Sequence, residues 1–161
     1  IYEGTTAIQA NDLVGRKTVR DGGAVARSLI AQMRALEGQL GEVQGEDFAA
    51  IARSLKEGAT ALEQVVDYVV ANVKSDVRAV FAGSVTYLKL AGIVLGGWQM
   101  ARAALVAQQK LAAGEGDAAF YQAKIVTARF FADHFVAQSA AMRAAIVEGH
   151  AGVLALPEDM F

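Results

Sequence analysis

The sequence of 161 residues contains no cysteine and a single proline. Without cysteine, a disulfide scaffold, a thiolate metal site and a cysteine nucleophile are excluded. One proline argues against a loop-rich all-β fold, because the turns of such folds use proline frequently. Neither charge is in large excess, since 15 basic and 17 acidic residues leave a net charge of −2. No overall positive field is available to hold phosphates, so we do not expect a nucleic-acid binder.

Apolar residues are abundant, at 54% of the sequence against 20% charged residues. This composition excludes an intrinsically disordered chain. We find no strand-like alternation of useful length, and glycines and polar clusters divide the sequence into five helix-length segments, at about 6–20, 24–40, 47–73, 77–113 and 117–148. Long helices joined by short loops favour antiparallel neighbours. The predicted fold is therefore all-α, an antiparallel bundle of four long helices preceded by one short helix.

Local patterns predict how these segments begin and pack. Thr6 followed by Gln9 is typical of a capping box at the start of the first helix. The second segment places apolar residues on one helical face, at positions 25, 29, 33, 36 and 40. In the fifth segment we expect the phenylalanines to pack in the core, at positions 120, 130, 131 and 135. No Glu-x-x-His pattern accompanies His134 or His150, so no metal site is predicted.

The fourth segment is apolar nearly all round between positions 79 and 101. A membrane-spanning helix needs about 20 consecutive apolar residues, and Lys89 splits this run in two. The alternative is a central helix that its neighbours bury, with Trp98 as a packed residue, and we favour it. Gly92 and Gly96 form a small-xxx-small pair that suits a close helix crossing. We expect no membrane span.

The first residues place a carboxylate, Glu3, between apolar groups and a predicted helix N-terminus. Such an N-terminus favours anions such as a pyrophosphate. A carboxylate in an apolar pocket has a raised pKa and is a better base. The alternative is a solvated glutamate in front of an ordinary helix cap, and these residues by themselves leave both interpretations open.

A resemblance favours the first interpretation. The start of the chain resembles the signature near the C-terminus of the flavin-dependent acyl-CoA dehydrogenases, through Ile1-Tyr2-Glu3-Gly4-Thr5, Ile8-Gln9 and Leu13-Val14-Gly15-Arg16-Lys17. It implies that Glu3 is the catalytic base, which removes a proton from the α-carbon of an acyl-CoA thioester. It also implies substrate contacts by Tyr2 and Gly4, and FAD contacts by four further positions, Thr5, Thr6, Ala7 and Gln9.

About 140 residues follow this signature, whereas the ordinary family ends shortly after it. The chain thereby resembles the subgroup with an extra C-terminal helical domain, whose members act on fatty acyl-CoAs and on 3-methylmercaptopropionyl-CoA. The implied domains are 1–20, the end of the catalytic helical domain, and 21–161, the C-terminal bundle. The sequence begins with Ile1 rather than methionine, and we expect a piece of a longer protein.

The resemblance further implies partners. They are an acyl-CoA substrate, FAD held by the full-length protein, and an electron-transfer flavoprotein as redox partner. No basic and apolar leader is found at the start of the sequence, and we expect a cytoplasmic homo-oligomer. The isolated chain is expected to be inactive and to hold no FAD. The competing hypothesis is a non-catalytic helical module for oligomerisation or interaction.

Overall fold

The computed structural model describes residues 5–160 and contains only helices and their connections within that range. The prediction of an all-α fold is confirmed. The elements are α1 Thr6–Asp12, which continues as a π-helical segment Leu13–Val19, then α2 Ala24–Gly41, α3 Glu46–Asn72, α4 Val77–Ala82, α5 Ser84–Ala113, α6 Ala118–His134, α7 Ser139–Glu148 and α8 His150–Val153, with 3-10 turns at Val136–Gln138 and Glu158–Met160.

Helix α5 is the centre of the fold. It contacts six other helices, α1, α2, α3, α4, α6 and α7. Its buried residues follow at intervals of three and four along one broad face, including Tyr87, Leu90, Val94 and Trp98. Within the described part of the chain it is also the one helix long and apolar enough to cross a membrane, with 44% of its most apolar stretch buried. Buried core helices have the same length and composition, and the structure packs α5 as such a helix.

Two of the predicted segments are each divided by a break, 77–113 into α4 and α5 and 117–148 into α6 and α7. The fourth segment breaks at Gly83, where an added Cβ would lie 3.0 Å from the Ile146 side chain of α7. The fifth segment breaks after His134, at a short turn that buries Val136. There the Ser139 hydroxyl donates to the Val136 carbonyl at 2.6 Å. Both breaks therefore lie where another helix packs closely.

The turn between α6 and α7 inserts Val136 between two glycines. A Cβ added at Gly97 of α5 would lie 2.5 Å from Val136 Cγ2, and one at Gly58 of α3 would lie 2.9 Å from Val136 Cγ1. The predicted close helix crossing at Gly92 and Gly96 is found at Gly96 and not at Gly92. Gly96 lies against a phenylalanine ring, at 3.2 Å for an added Cβ, but Gly92 has no neighbour within 4 Å. Helices α3 and α5 thus approach α6 and α7 closely because these positions lack side chains.

The expectation that the four phenylalanines pack in the core is wrong for three of them. Phe120 and Phe130 are each 52% exposed, and Phe135 is 40% exposed. Helix α6 lies at the outside of the bundle and buries only its narrow face of Ile125, Ala128 and Ala132. Trp98, by contrast, is buried as predicted.

We predict opposite effects for alanine at two glycines of α5. Gly97→Ala should lower the free energy of unfolding by about 1–3 kcal/mol, because the new methyl group overlaps Val136. Gly92→Ala should leave it unchanged or raise it by up to about 1 kcal/mol, because the site is open and alanine favours helix. Urea unfolding followed by circular dichroism measures both. Equal effects of the two substitutions would contradict this packing.

Candidate functional site

Three of the predicted site residues, Tyr2, Glu3 and Gly4, lie outside the described residues. Their roles remain predictions. The structure begins with Thr5, which occupies the N-cap position of α1, and Thr6 is the first helical residue. The predicted capping box, which places the cap at Thr6, is therefore wrong by one position. In the sequence the predicted base, Glu3, precedes Thr6, the first residue of α1, by three positions.

The first turn of α1 presents its side chains to the outside of the bundle. Thr6, Ala7 and Gln9 are exposed, and Ile8 is 64% exposed. An open surface concavity of about 370 Å³ lies beside this turn, lined by Ile8, Gln9, Asn11, Asp12 and Arg16. The predicted FAD residues in this turn are thus brought together on one surface, where a further part of the protein or a ligand can reach them.

The opposite face of the same helix is anchored in the bundle. Ala10, Val14 and Thr18 follow at intervals of four residues and are each at most 1% exposed. Helix α1 contacts α5, and the π-helical segment contacts α2, α3 and α5. One face therefore fixes the helix to the bundle while the other stays accessible.

Thr18 is the polar member of that buried face, and two hydrogen bonds satisfy it. Its hydroxyl donates to the Leu13 carbonyl, five residues earlier, at 2.9 Å. The Tyr87 hydroxyl of α5 lies 2.9 Å from the same Thr18 oxygen. Because threonine has one hydroxyl hydrogen and Leu13 receives it, Tyr87 is the donor of the second bond. A chain of hydrogen bonds thus runs from α5 to the backbone of the π-helical segment.

Burial also keeps the Tyr87 hydroxyl protonated. Desolvation raises its pKa above the ordinary value of 10.0, and the hydrogen bond with Thr18 opposes this in part. A neutral phenol can donate at physiological pH, as the hydrogen-bond chain requires. Sequence reasoning missed the pair. The available signal is a tyrosine inside an apolar run, since a buried phenol needs a partner.

A small apolar cavity lies next to the pair. Its volume is about 120 Å³, and the lining residues come from the π-helical segment, α2, α3 and α5, among them Leu13, Thr18, Leu29, Leu62, Tyr87 and Leu95. The wall is almost entirely hydrocarbon. Removal of the hydrogen bond would therefore leave room for Thr18 and its helix to shift.

The π-helical segment ends in a tight turn that leads directly into α2. The Gly23 N–H bonds the Thr18 carbonyl at 2.8 Å, and the Gly22 N–H bonds the Val19 carbonyl at 3.1 Å. Both glycines have positive φ, 64° at Gly22 and 82° at Gly23, as in a Schellman ending. The Asp21 carboxylate then accepts from the N–H groups of residues 23 and 25 at 3.0 Å each. The turn thus fixes the C-terminal end of the π-helical segment, where Thr18 lies.

Within residues 5–160 there is no group of three His, Asp or Glu side chains placed to hold a metal ion. His134 is exposed and lies against the Phe130 ring, with 4.5 Å between the ring centroids. The chemistry of the candidate site therefore depends on the residues around α1.

Comparison with known proteins defines the class. Residues 26–157 match the family model described as acetyl-CoA dehydrogenase C-terminal like. The chain belongs to this family.

Two relatives are enzymes. The chain is 44% identical over 148 residues to 3-methylmercaptopropionyl-CoA dehydrogenase of Ruegeria pomeroyi. This alignment covers 92% of this chain and 25% of that protein. It is 32% identical over 169 aligned positions to the broad-specificity linear acyl-CoA dehydrogenase FadE5 of Mycobacterium tuberculosis, which covers 100% of this chain and 27% of that protein. The chain thus spans about a quarter of the length of these relatives. The resemblance to acyl-CoA dehydrogenases is confirmed.

The Asp21 turn gives a pH-dependent prediction. Hydrogen bonds from the backbone, first that of Val25, lower the pKa of the Asp21 carboxyl below its ordinary value of 3.8. A lowered folded-state pKa stabilises the fold above the unfolded-state pKa, and this contribution is lost as the pH falls through the folded-state value. Asp21→Asn should therefore be less stable than the parent at pH 7, and the difference should shrink below about pH 4. Urea midpoints across this range test it, with the exposed Glu57→Gln as control; a pH-independent difference would contradict it.

Proposed function

We propose that the chain is the C-terminal part of an FAD-dependent acyl-CoA dehydrogenase, which forms an α,β double bond in an acyl-CoA thioester. Support comes from the family membership and from the names of both relatives. The alignment with the mycobacterial enzyme spans the whole chain, including the first residues. The observation that carries the proposal is the position of the Tyr2-Glu3-Gly4 signature, directly before a helix end that is anchored on one face and exposed on the other.

In this proposal Glu3 is the general base. Its carboxylate takes the proton from the α-carbon of the thioester, a hydride leaves the β-carbon, and the carbon–carbon double bond forms. A base must lie within hydrogen-bond reach of the proton that it removes. Exclusion of water from the site raises the pKa of such a carboxyl and makes it a stronger base. Tyr2 and Gly4, on either side of Glu3, would contact the acyl-CoA.

FAD would lie against the first turn of α1, next to Thr5, Thr6, Ala7 and Gln9. When bound, FAD supplies the acceptor for the hydride. The residues fit this role because the turn is exposed at Thr6, Ala7 and Gln9, the alanine is small, and the threonine and glutamine side chains offer donors and acceptors. The remaining walls of the site would come from the part of the enzyme outside this chain.

The partners follow from the same proposal. They are an acyl-CoA substrate and an electron-transfer flavoprotein that reoxidises the cofactor. The enzyme itself would be a cytoplasmic homo-oligomer.

The second candidate function, a helical interaction module, is compatible with this enzyme. The exposed apolar side chains of α6, with Val126 at 63% and Phe130 at 52%, favour it. Most of the chain would then serve as scaffold, and its first residues would take part in the chemistry.

The base assignment predicts the effect of a conservative change. In the complete enzyme, Glu3→Gln should lower kcat at least about a hundredfold, because the amide cannot accept the α-proton. FAD content, read from the flavin absorbance, should be unchanged. The matched control is Glu57→Gln, an exposed residue of α3, which should retain parental turnover. A Glu3→Gln enzyme with normal turnover would show that the base lies elsewhere.

The isolated chain should not retain FAD. Residues 1–161 would supply one side of the cofactor site, and a base at the end of the chain is not preorganised without the other walls. Purification of this chain in the presence of excess FAD, followed by gel filtration and absorbance, should give protein free of flavin. A stoichiometric flavin spectrum that co-elutes with the chain would contradict the proposal that the site needs the rest of the enzyme.

A further inference from the structure

We propose that Tyr87 and Thr18 are positioning residues for the Glu3 base, and that their buried hydrogen bond sets the orientation of α1 on the bundle. This inference depends on the proposed function, since it assumes that Glu3 is the base. It gives the C-terminal bundle a part in catalysis through a single defined contact, between a hydroxyl of α5 and the helix that follows the signature.

The contact is placed to control α1. Thr18 is 1% exposed and Tyr87 is 2% exposed, so water cannot replace either partner. In a dry environment the Tyr87 hydroxyl needs the Thr18 oxygen as its acceptor, because an unsatisfied buried polar group costs about 1–3 kcal/mol. Rotation of the helix that moves Thr18 away from Tyr87 would leave the phenol without an acceptor. The pair therefore adds a directional constraint on the rotation of the helix to the packing of Ala10 and Val14.

The π-helical backbone extends this control towards Glu3. A π-helix closes hydrogen bonds over five residues instead of four, so each of its turns holds an additional residue and rotates the residues before it. Thr18 donates to the carbonyl five positions back, at Leu13. The side-chain bond thereby supports the wider turn at both ends of the segment. If the segment returned to α-helical geometry, α1 would rotate relative to the bundle.

The pair also joins two different parts of the chain. Tyr87 lies within residues 26–157, which match the C-terminal family model, whereas Thr18 lies before them. Sixty-nine positions separate the two residues in sequence. The apolar cavity of about 120 Å³ beside them gives the helix room to move when the bond is absent. A contact that only filled space would need no hydroxyl on either side.

The test uses the complete enzyme and the variant Tyr87→Phe. This change removes one oxygen, retains the ring in the core, and leaves Thr18 bonded to Leu13. We expect kcat to fall about tenfold or more while KM changes less than about twofold, because misplacement of a catalytic group by a fraction of an ångström slows the chemical step. Thr18→Val should give the same loss, and Thr18→Ser, which restores the hydroxyl, should recover most of the parental kcat.

The matched control is Ser139→Ala. Ser139 is also 1% exposed and its hydroxyl donates to a backbone carbonyl, that of Val136, in the turn between α6 and α7. Its loss should lower the thermal midpoint as much as Tyr87→Phe does, with kcat unchanged. A fall in kcat that follows the thermal midpoint in all variants would mean that Tyr87 only stabilises the fold, and the inference would be overturned.

A double-mutant cycle separates this inference from the proposed function. If Tyr87 acts through Glu3, Tyr87→Phe should have no further effect on the residual turnover of the Glu3→Gln enzyme. Multiplicative losses would overturn the inference and leave Glu3 as the base. Normal turnover of Glu3→Gln by itself would overturn the base assignment, and with it the role of Tyr87 as its positioning residue.

Discussion

The burial of the broad apolar face of α5 is the constraint on which the rest of the structure depends. The buried residues of this 30-residue helix run along most of its length, from Ser84 to Ala107, so their removal from water requires several other helices. Helices α6, α3, α7 and α1 provide most of that cover, and α2 provides less of it. The attachment of α1 to the bundle is therefore a consequence of what α5 requires.

Close packing around α5 also determines where the outer helices break. Val136 can lie between Gly58 and Gly97 only if the chain leaves helical geometry after α6. Likewise, Ile146 can approach the backbone at Gly83 only because no side chain is present there. The cost of interrupted backbone hydrogen bonding is offset by dense contacts at the core, where each buried methyl group contributes to stability. The breaks are thus set by tertiary packing.

This distinction explains how much could be predicted from the sequence. Starts and ends of helices depend on neighbouring residues, and the caps at Asp76 and Asp117 follow local rules that sequence carries. In α3 the helical spacing of the apolar residues indicates one buried face, and the structure buries Phe48, Ile51, Leu55, Leu62, Val65 and Val69. In contrast, the exposure of Phe130 and the breaks near Gly83 and Val136 depend on residues far away in sequence. At the candidate site, the structure shows the exposed first turn of α1. The chemical role proposed for this turn comes from the sequence signature at the start of the chain.

The Thr18–Tyr87 pair is the clearest case of a feature that local patterns cannot contain. Neither residue is unusual in its own segment, and the pair exists only because α5 and the π-helical segment pack together. Apolar side chains at both positions could fill the same space without the need to satisfy two buried hydroxyls. The hydroxyls add a dependence on direction, because a hydrogen bond weakens steeply as its angle departs from linearity, whereas apolar contact has no preferred angle. Apolar packing alone can hold the helix that follows Glu3 on the bundle. If the C-terminal bundle is also to fix the orientation of the base, the enzyme needs a directional bond between the bundle and that helix.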